Sequence, residues 1–156
     1  MKWRGWMASL AMLCVLSPLA LAQSTADPAT EQPYVPRLGD IMNAIQTRHM
    51  KLWFAGQARN WELAAYEVRQ IKAGLVEAAG FYTGIPISNV TTMSTPIQSL
   101  SDAIAARDSR RFGKAFGELT DGCNGCHQSM QRDFVLIRVP TEQPFSDQVF
   151  PPRGVK

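Results

Sequence analysis

Residues 109–131 read SRRFGKAFGELTDGCNGCHQSMQ and combine a helical pattern with a chemical motif. Asp108, directly before this stretch, is a residue type that commonly caps a helix N-terminus. Apolar residues and two thiols recur at helical spacing on one predicted face, which consists of Phe112, Phe116, Leu119, Cys123, Cys126 and Met130. The thiols are therefore expected to face the interior, and the rest of the fold is expected to form around them.

Cys123, Cys126 and His127 form the sequence C-x-x-C-H, which is the attachment pattern of c-type haem. In that chemistry each thiol adds across one haem vinyl group, and the adjacent imidazole ligates the iron from one face. The motif predicts one covalent haem c per chain, with His127 as an iron ligand.

A C-x-x-C pair also occurs in redox dithiols and in zinc sites. A redox dithiol of the thioredoxin type lies near a βαβ pattern, and the sequence has none. A structural zinc site needs four ligands, and His127 directly follows Cys126, which is an awkward geometry for a shared tetrahedral metal. A haem-free dithiol or interaction domain stays as the alternative.

Residues 1–22 have the pattern of a secretory signal peptide. Lys2 and Arg4 form a charged start, residues 7–21 are mostly apolar, and Ala20-Leu21-Ala22 matches a cleavage site. A membrane-retained signal anchor is the alternative interpretation. Cleavage would leave a mature chain with no membrane span and place it in a bacterial periplasm, where c-type haem attachment occurs.

Charge and spacing argue against two further classes of function. Loss of Lys2 and Arg4 would lower the formal charge from +3 to +1, and the chain has no basic run of the kind that binds nucleic acid. No nucleophile–base pair is recognisable by spacing, and Glu67 and Glu118 are interpreted as surface charges. We expect neither a nucleic-acid partner nor an enzymatic activity.

The periodicity of the remaining chain predicts an all-α fold. Proline and small polar residues predict a flexible lead-in over 23–37, and apolar spacing predicts helices over 39–57, 60–79, 96–107 and 109–131. Thr95 and Pro96 are interpreted as the cap and the first residue of the third helix, after a loop over 81–94. Four prolines predict a Pro-rich extended C-terminal tail over 133–156. The leading architecture is an up-down-up-down four-helix bundle over residues 38–132 that holds the haem.

His49 is the candidate for the second face of the iron. It interrupts the apolar stripe of the first helix, formed by Ile41, Ile45, His49 and Leu52. A histidine in this position can also be an ordinary, hydrogen-bonded core residue. Met50 is the second candidate, Met42 is placed too near the helix start, and an open sixth position is the third possibility.

Four other residues are predicted to contact the haem. Trp53 and Phe116 would pack against the porphyrin, and Arg48 and Arg132 would pair with its propionates. For the two aromatic residues the alternative is a role in the core, and for the two arginines it is an ordinary surface charge.

These features together resemble the cytochrome c′ superfamily, the class II c-type cytochromes. The resemblance covers about residues 38–132 and rests on four helices with C-x-x-C-H in the last one. More closely, RHMKLWFAG at 48–56 and NWELA at 60–64 are similar to a group of bacterial cytochrome c-like proteins of uncharacterised role. The family commonly has a basic residue four positions after the ligating histidine, whereas here Gln131 occupies that position and Arg132 follows.

The resemblance implies two candidate functions. The first is a periplasmic electron carrier with a six-coordinate haem, which would be bis-His if His49 ligates the iron. The second is a five-coordinate haem protein that binds nitric oxide or carbon monoxide. Expected partners are periplasmic redox proteins, and a homodimer is plausible by analogy with the family.

Overall fold

The computed structural model describes residues 33–154. The predicted signal peptide over 1–22 and most of the predicted lead-in lie outside the described residues. Within the described range the chain is all-helical, with four helices and no strand, as predicted. The helices are α1 (Leu38–Gln57), α2 (Trp61–Phe81), α3 (Ile87–Ala105) and α4 (Ser109–Ser129).

Side-chain caps define where two of the helices begin. The Asn60 side chain accepts a hydrogen bond from the backbone N–H of Leu63 at 3.1 Å, at the start of α2. Asp108 accepts from the backbone N–H groups of Arg110 and Arg111, each at 3.0 Å, at the start of α4. Each cap satisfies N–H groups that have no partner within the helix, and the cap predicted at Asp108 is confirmed.

The predicted start of the third helix is wrong. The helix begins at Ile87, so the loop is shorter than predicted, Thr95 is not its cap, and both Thr95 and Pro96 lie inside α3. An internal proline costs about 3 kcal/mol because it removes a helical hydrogen bond and crowds the preceding turn. Met93 and Ile97 lie on either side of Pro96 and are 2% and 8% exposed, and burying each such side chain stabilises by about 1.5–3 kcal/mol. Burial on this face of α3 therefore offsets the cost of the proline.

The four helices pack around one apolar core. α1 lies along α2, α3 lies along α4, and α2 also packs against α3, whereas the contact between α1 and α4 is the smallest of these four neighbouring pairs. The side chains at the centre of the core are fully buried and include Leu52, Ile71, Leu100, Phe112, Phe116 and Leu119. None of the helices within residues 33–154 has the length and apolar character needed to cross a membrane.

Residues 130–154 follow α4 without forming a further helix or a strand. This segment nevertheless contacts the bundle near the start of α2, where the carbonyl of Phe150 accepts a hydrogen bond from the Asn60 side chain at 2.9 Å. The ring of Phe150 is buried and meets Phe54 edge-on, with 5.9 Å between the ring centroids. The segment is thus anchored on α1 and α2 as well as on α4.

Candidate functional site

A largely apolar cavity of about 480 Å³ lies where parts of all four helices meet residues 132–137. Its volume falls within the range of about 300–1,000 Å³ that is usual for small-molecule and cofactor sites. The apolar part of its lining includes Met42, Ile45, Leu75, Val90, Met93 and Val135. The first half of α1 and the last turns of α4 both contribute, and these two helices have the smallest contact among the neighbouring pairs of the bundle.

Five of the eight residues predicted for the site line this cavity. They are Cys123, Cys126, His127, His49 and Arg132. Cys123, Cys126 and His127 are each half-buried, so these three side chains form part of the cavity wall.

The other three predicted residues do not line the cavity. Trp53 and Phe116 pack against each other in the aromatic core, with 4.9 Å between ring centroids. Arg48 pairs with Glu67, with its Nη1 3.3 Å from a carboxylate oxygen. Their positions therefore do not support the prediction that these three residues contact a cofactor in this cavity.

The interpretation of Glu67 as a surface charge is wrong, since Glu67 is only 1% exposed. Burial raises the pKa of Glu67, and the nearby Arg48 guanidinium opposes that shift. The sequence contains the signal for this burial, because Glu67 lies three residues after Ala64 and four before Ile71 on the apolar face of α2.

Both thiols are free, and burial favours the neutral form of each. Burial raises the pKa of Cys123 to about 11 and also raises the pKa of Cys126. Catalytic redox dithiols need the opposite shift, because the thiolate is their reactive species. The direction of these pKa shifts disfavours the dithiol alternative.

The imidazole of His127 is held by a residue of the following segment. Its Nδ1 lies 2.7 Å from the carbonyl oxygen of Val135. Because a carbonyl can only accept, Nδ1 carries the proton, and Nε2 has a free lone pair. A histidine that ligates a metal generally makes this kind of hydrogen bond through its other ring nitrogen, which orients the ring and raises its basicity.

His49 is buried, as its position on the apolar stripe predicted, with 3% of its surface exposed. Its Nε2 lies 2.9 Å from the hydroxyl of Thr120, and that hydroxyl donates to the carbonyl of Phe116. Thr120 therefore accepts the Nε2 proton of His49, and Nδ1 has no hydrogen-bond partner among the described residues. Burial lowers the pKa of His49 to about 4, so the ring is neutral at pH 7.

Sequence reasoning missed many of the residues that line the cavity, and three of these contributions bear directly on the site. Met42 lines it although its position appeared too near the start of α1, and Met93 lines it from a stretch predicted as loop. The third is the 132–137 segment, held by Asn124, whose side-chain amide exchanges two hydrogen bonds of 2.8 Å with the backbone of Ile137. No local pattern could have predicted this last contact, because it depends on how the chain turns back after α4.

The residues present fit a covalent haem better than a bare metal ion. Two thiols, an imidazole with a free Nε2 and a mostly apolar cavity are what C-x-x-C-H attachment requires. Among the side chains of residues 33–154, no group of three or more His, Cys, Asp and Glu could hold a metal ion, so a zinc site would lack ligands. Comparisons of the chain with protein-family models, with curated proteins and with solved structures found no match.

Proposed function

We propose that this protein is a mono-haem c-type cytochrome that carries electrons in a bacterial periplasm. The observation that carries the proposal is the His127–Val135 hydrogen bond, which leaves Nε2 of His127 free beside two thiols on the wall of an apolar cavity. Haem c, when bound, supplies a one-electron redox centre. The periplasmic part of the proposal rests on the signal-peptide pattern of residues 1–22.

Each residue of the site has a role in this proposal. Cys123 and Cys126 would form the two thioether links, and His127 would ligate the iron through Nε2. Arg132 lines the same cavity and would pair with a haem propionate. The apolar side chains would exclude water from the redox centre, which helps to set its potential.

We further infer an up-down-up-down bundle in which α1 and α4 run antiparallel. The support is that the cavity takes its lining from the first half of α1 and the last turns of α4, while His49, farther along α1, contacts Thr120, which lies earlier in α4. In this arrangement the seven residues from Thr120 to His127 span about 10 Å along α4. On α1, Met42 lies seven residues before His49, which is the same distance along the helix.

This register favours Met42 over His49 as the second iron ligand. In the inferred register Met42 would be level with His127, whereas His49 would be about two turns away and already donates through Nε2 to Thr120. A methionine opposite a histidine is a ligand pair that raises the reduction potential, which suits an electron carrier. Ligation by His49 stays a prediction, and it would require the ring to leave Thr120.

The proposal is tested by expressing the full chain together with a c-type haem attachment system. The wild-type protein is expected to retain haem on a denaturing gel and to show a sharp, split α/β band pair on reduction. The double replacement Cys123→Ala and Cys126→Ala should abolish covalent haem. Cys14→Ala, outside the motif, should leave the haem content unchanged.

Two outcomes would contradict all or part of the proposal. A wild-type protein without covalent haem would refute the proposal. A broad high-spin spectrum that shifts on addition of carbon monoxide would replace electron transfer by the gas-binding alternative.

A further inference from the structure

We propose that Asn124, which lies between the two cysteines of the motif, is a positioning residue for the iron ligand. It would act by holding the 132–137 segment against α4. In that position the carbonyl of Val135 accepts the hydrogen bond from Nδ1 of His127. This inference rests on the proposed function, because it assigns a role in tuning the same haem ligand.

The contact between Asn124 and the segment has the geometry of a backbone pair. The side-chain Nδ2 donates to the carbonyl of Ile137 at 2.8 Å, and the side-chain Oδ1 accepts from the N–H of Ile137 at 2.8 Å. One amide side chain thus satisfies both the donor and the acceptor of one residue, as a neighbouring strand would. No shorter side chain can reach both groups from the same position.

The segment is anchored at its other end by the backbone of the motif itself. The N–H of Arg132 donates to the carbonyl of His127 at 2.7 Å, and the N–H of Val135 donates to the carbonyl of Arg132 at 2.9 Å. Val135 therefore lies between two residues that are hydrogen-bonded to α4, Arg132 and Ile137. The hydrogen bond from His127 to the Val135 carbonyl depends on both of these attachments.

Little besides these anchors holds the segment in place. It forms neither helix nor strand, and its side chains alternate between the cavity and the outside. Val135 and Ile137 line the cavity, whereas Phe134 and Leu136 are 77% and 78% exposed. Only half of its apolar side chains are turned toward the cavity. Burial alone therefore does little to fix the position of the Val135 carbonyl.

Loss of the Asn124 contact should change the electronic character of His127. A carbonyl that accepts from Nδ1–H makes the imidazole a stronger electron donor, which favours the oxidised state of a metal bound at Nε2. Weakening that hydrogen bond is expected to raise the reduction potential. A residue that served only to stabilise the fold would leave the potential of the folded protein unchanged.

The test compares the haem-loaded wild-type protein with Asn124→Ala. Gln128→Ala is the matched control, because Gln128 is on α4 beside His127, is exposed and makes no side-chain hydrogen bond with the described residues. Amide hydrogen exchange at Ile137 reports the contact directly, and equilibrium redox titration reports its effect on the iron. We expect Asn124→Ala to speed exchange at Ile137 about tenfold and to raise the reduction potential, as expected from a loss of one to two hydrogen bonds.

The outcomes separate this inference from the proposed function. Covalent haem in the wild type, with exchange and potential unchanged by Asn124→Ala, would overturn the role of Asn124 alone. Absence of haem in the wild type would overturn both. If Asn124→Ala does not accumulate, Asn124→Ser carries the same test, because its hydroxyl cannot span both backbone groups of Ile137.

Discussion

His49 on α1 and Thr120 on α4 form a buried side-chain pair, with Nε2 of the imidazole 2.9 Å from the threonine hydroxyl. The hydroxyl donates in turn to the carbonyl of Phe116, so the pair is tied to the backbone of α4. Few other contacts join these two helices. The pair therefore contributes to holding α1 and α4 together at the inner end of the cavity.

Replacing Thr120 by Val should destabilise the protein by about 1–3 kcal/mol. The two side chains have nearly the same shape, but the Nε2–H of His49 would be left buried without an acceptor. Chemical denaturation measures the free energy of unfolding. Thr91→Val is the control, because the Thr91 hydroxyl also donates to a carbonyl of its own helix, that of Ile87, but is exposed. Equal losses of stability in the two variants would contradict the prediction.

Stability should fall at acidic pH because of His49. Burial lowers its pKa to about 4 from an ordinary value of 6.5, so between these values the unfolded chain binds a proton that the folded chain does not. The stabilising contribution is thus fully present above about pH 6.5 and is lost as the pH falls toward 4. The shift corresponds to a loss on the order of 3 kcal/mol.

The comparison that isolates this effect is with His49→Gln. Burial raises the pKa of Glu67, so its titration has the opposite effect on stability. Because Glu67 is present in both proteins, its contribution cancels in the difference between their free energies of unfolding. The free energy of unfolding should decrease more steeply with falling pH in the wild type than in the variant. Parallel curves would show that His49 does not titrate on unfolding.

The second ligand of the proposed haem iron can be identified by three single replacements in the haem-loaded protein. Met42→Ala should convert a low-spin spectrum into a high-spin one, because it removes the proposed second ligand. His49→Ala should keep the low-spin bands. Met50→Ala serves as the control, since Met50 does not line the cavity; loss of the low-spin bands in His49→Ala alone would instead establish bis-His ligation.

Gly56→Ala should destabilise the fold by about 1–3 kcal/mol through overpacking. A Cβ built at Gly56 would lie 2.1 Å from Cε1 of Phe112, whose ring is fully buried. Thermal or chemical denaturation tests this prediction.

Gly113→Ala is the matched control for Gly56→Ala. A Cβ at Gly113, in α4, would have no neighbour within 4 Å. Alanine there should be neutral or should stabilise by up to about 1 kcal/mol through helix propensity. Similar losses in the two variants would show that the contact with Phe112 is not the cause.

The local parts of the fold were predictable from sequence because their causes are local. Asn60 and Asp108 cap helices through side chains that reach only two or three residues along the chain. The buried stripe of α1, including His49, follows from helical spacing. The start of α3 was not predictable from Pro96, because the burial of Met93 and Ile97 competes with the preference of proline for the first turn.

The sequence by itself determined the identities and covalent spacing of Cys123, Cys126 and His127, because three neighbouring residues of one helix need no tertiary contact to form a motif. Only the tertiary structure decided what surrounds them: Thr120 holds His49, Met42 enters the cavity wall, and Val135 orients His127. These relationships join separate helices, or a helix and an irregular segment. They depend on helix register and on the return of the chain after α4, which helical periodicity does not specify.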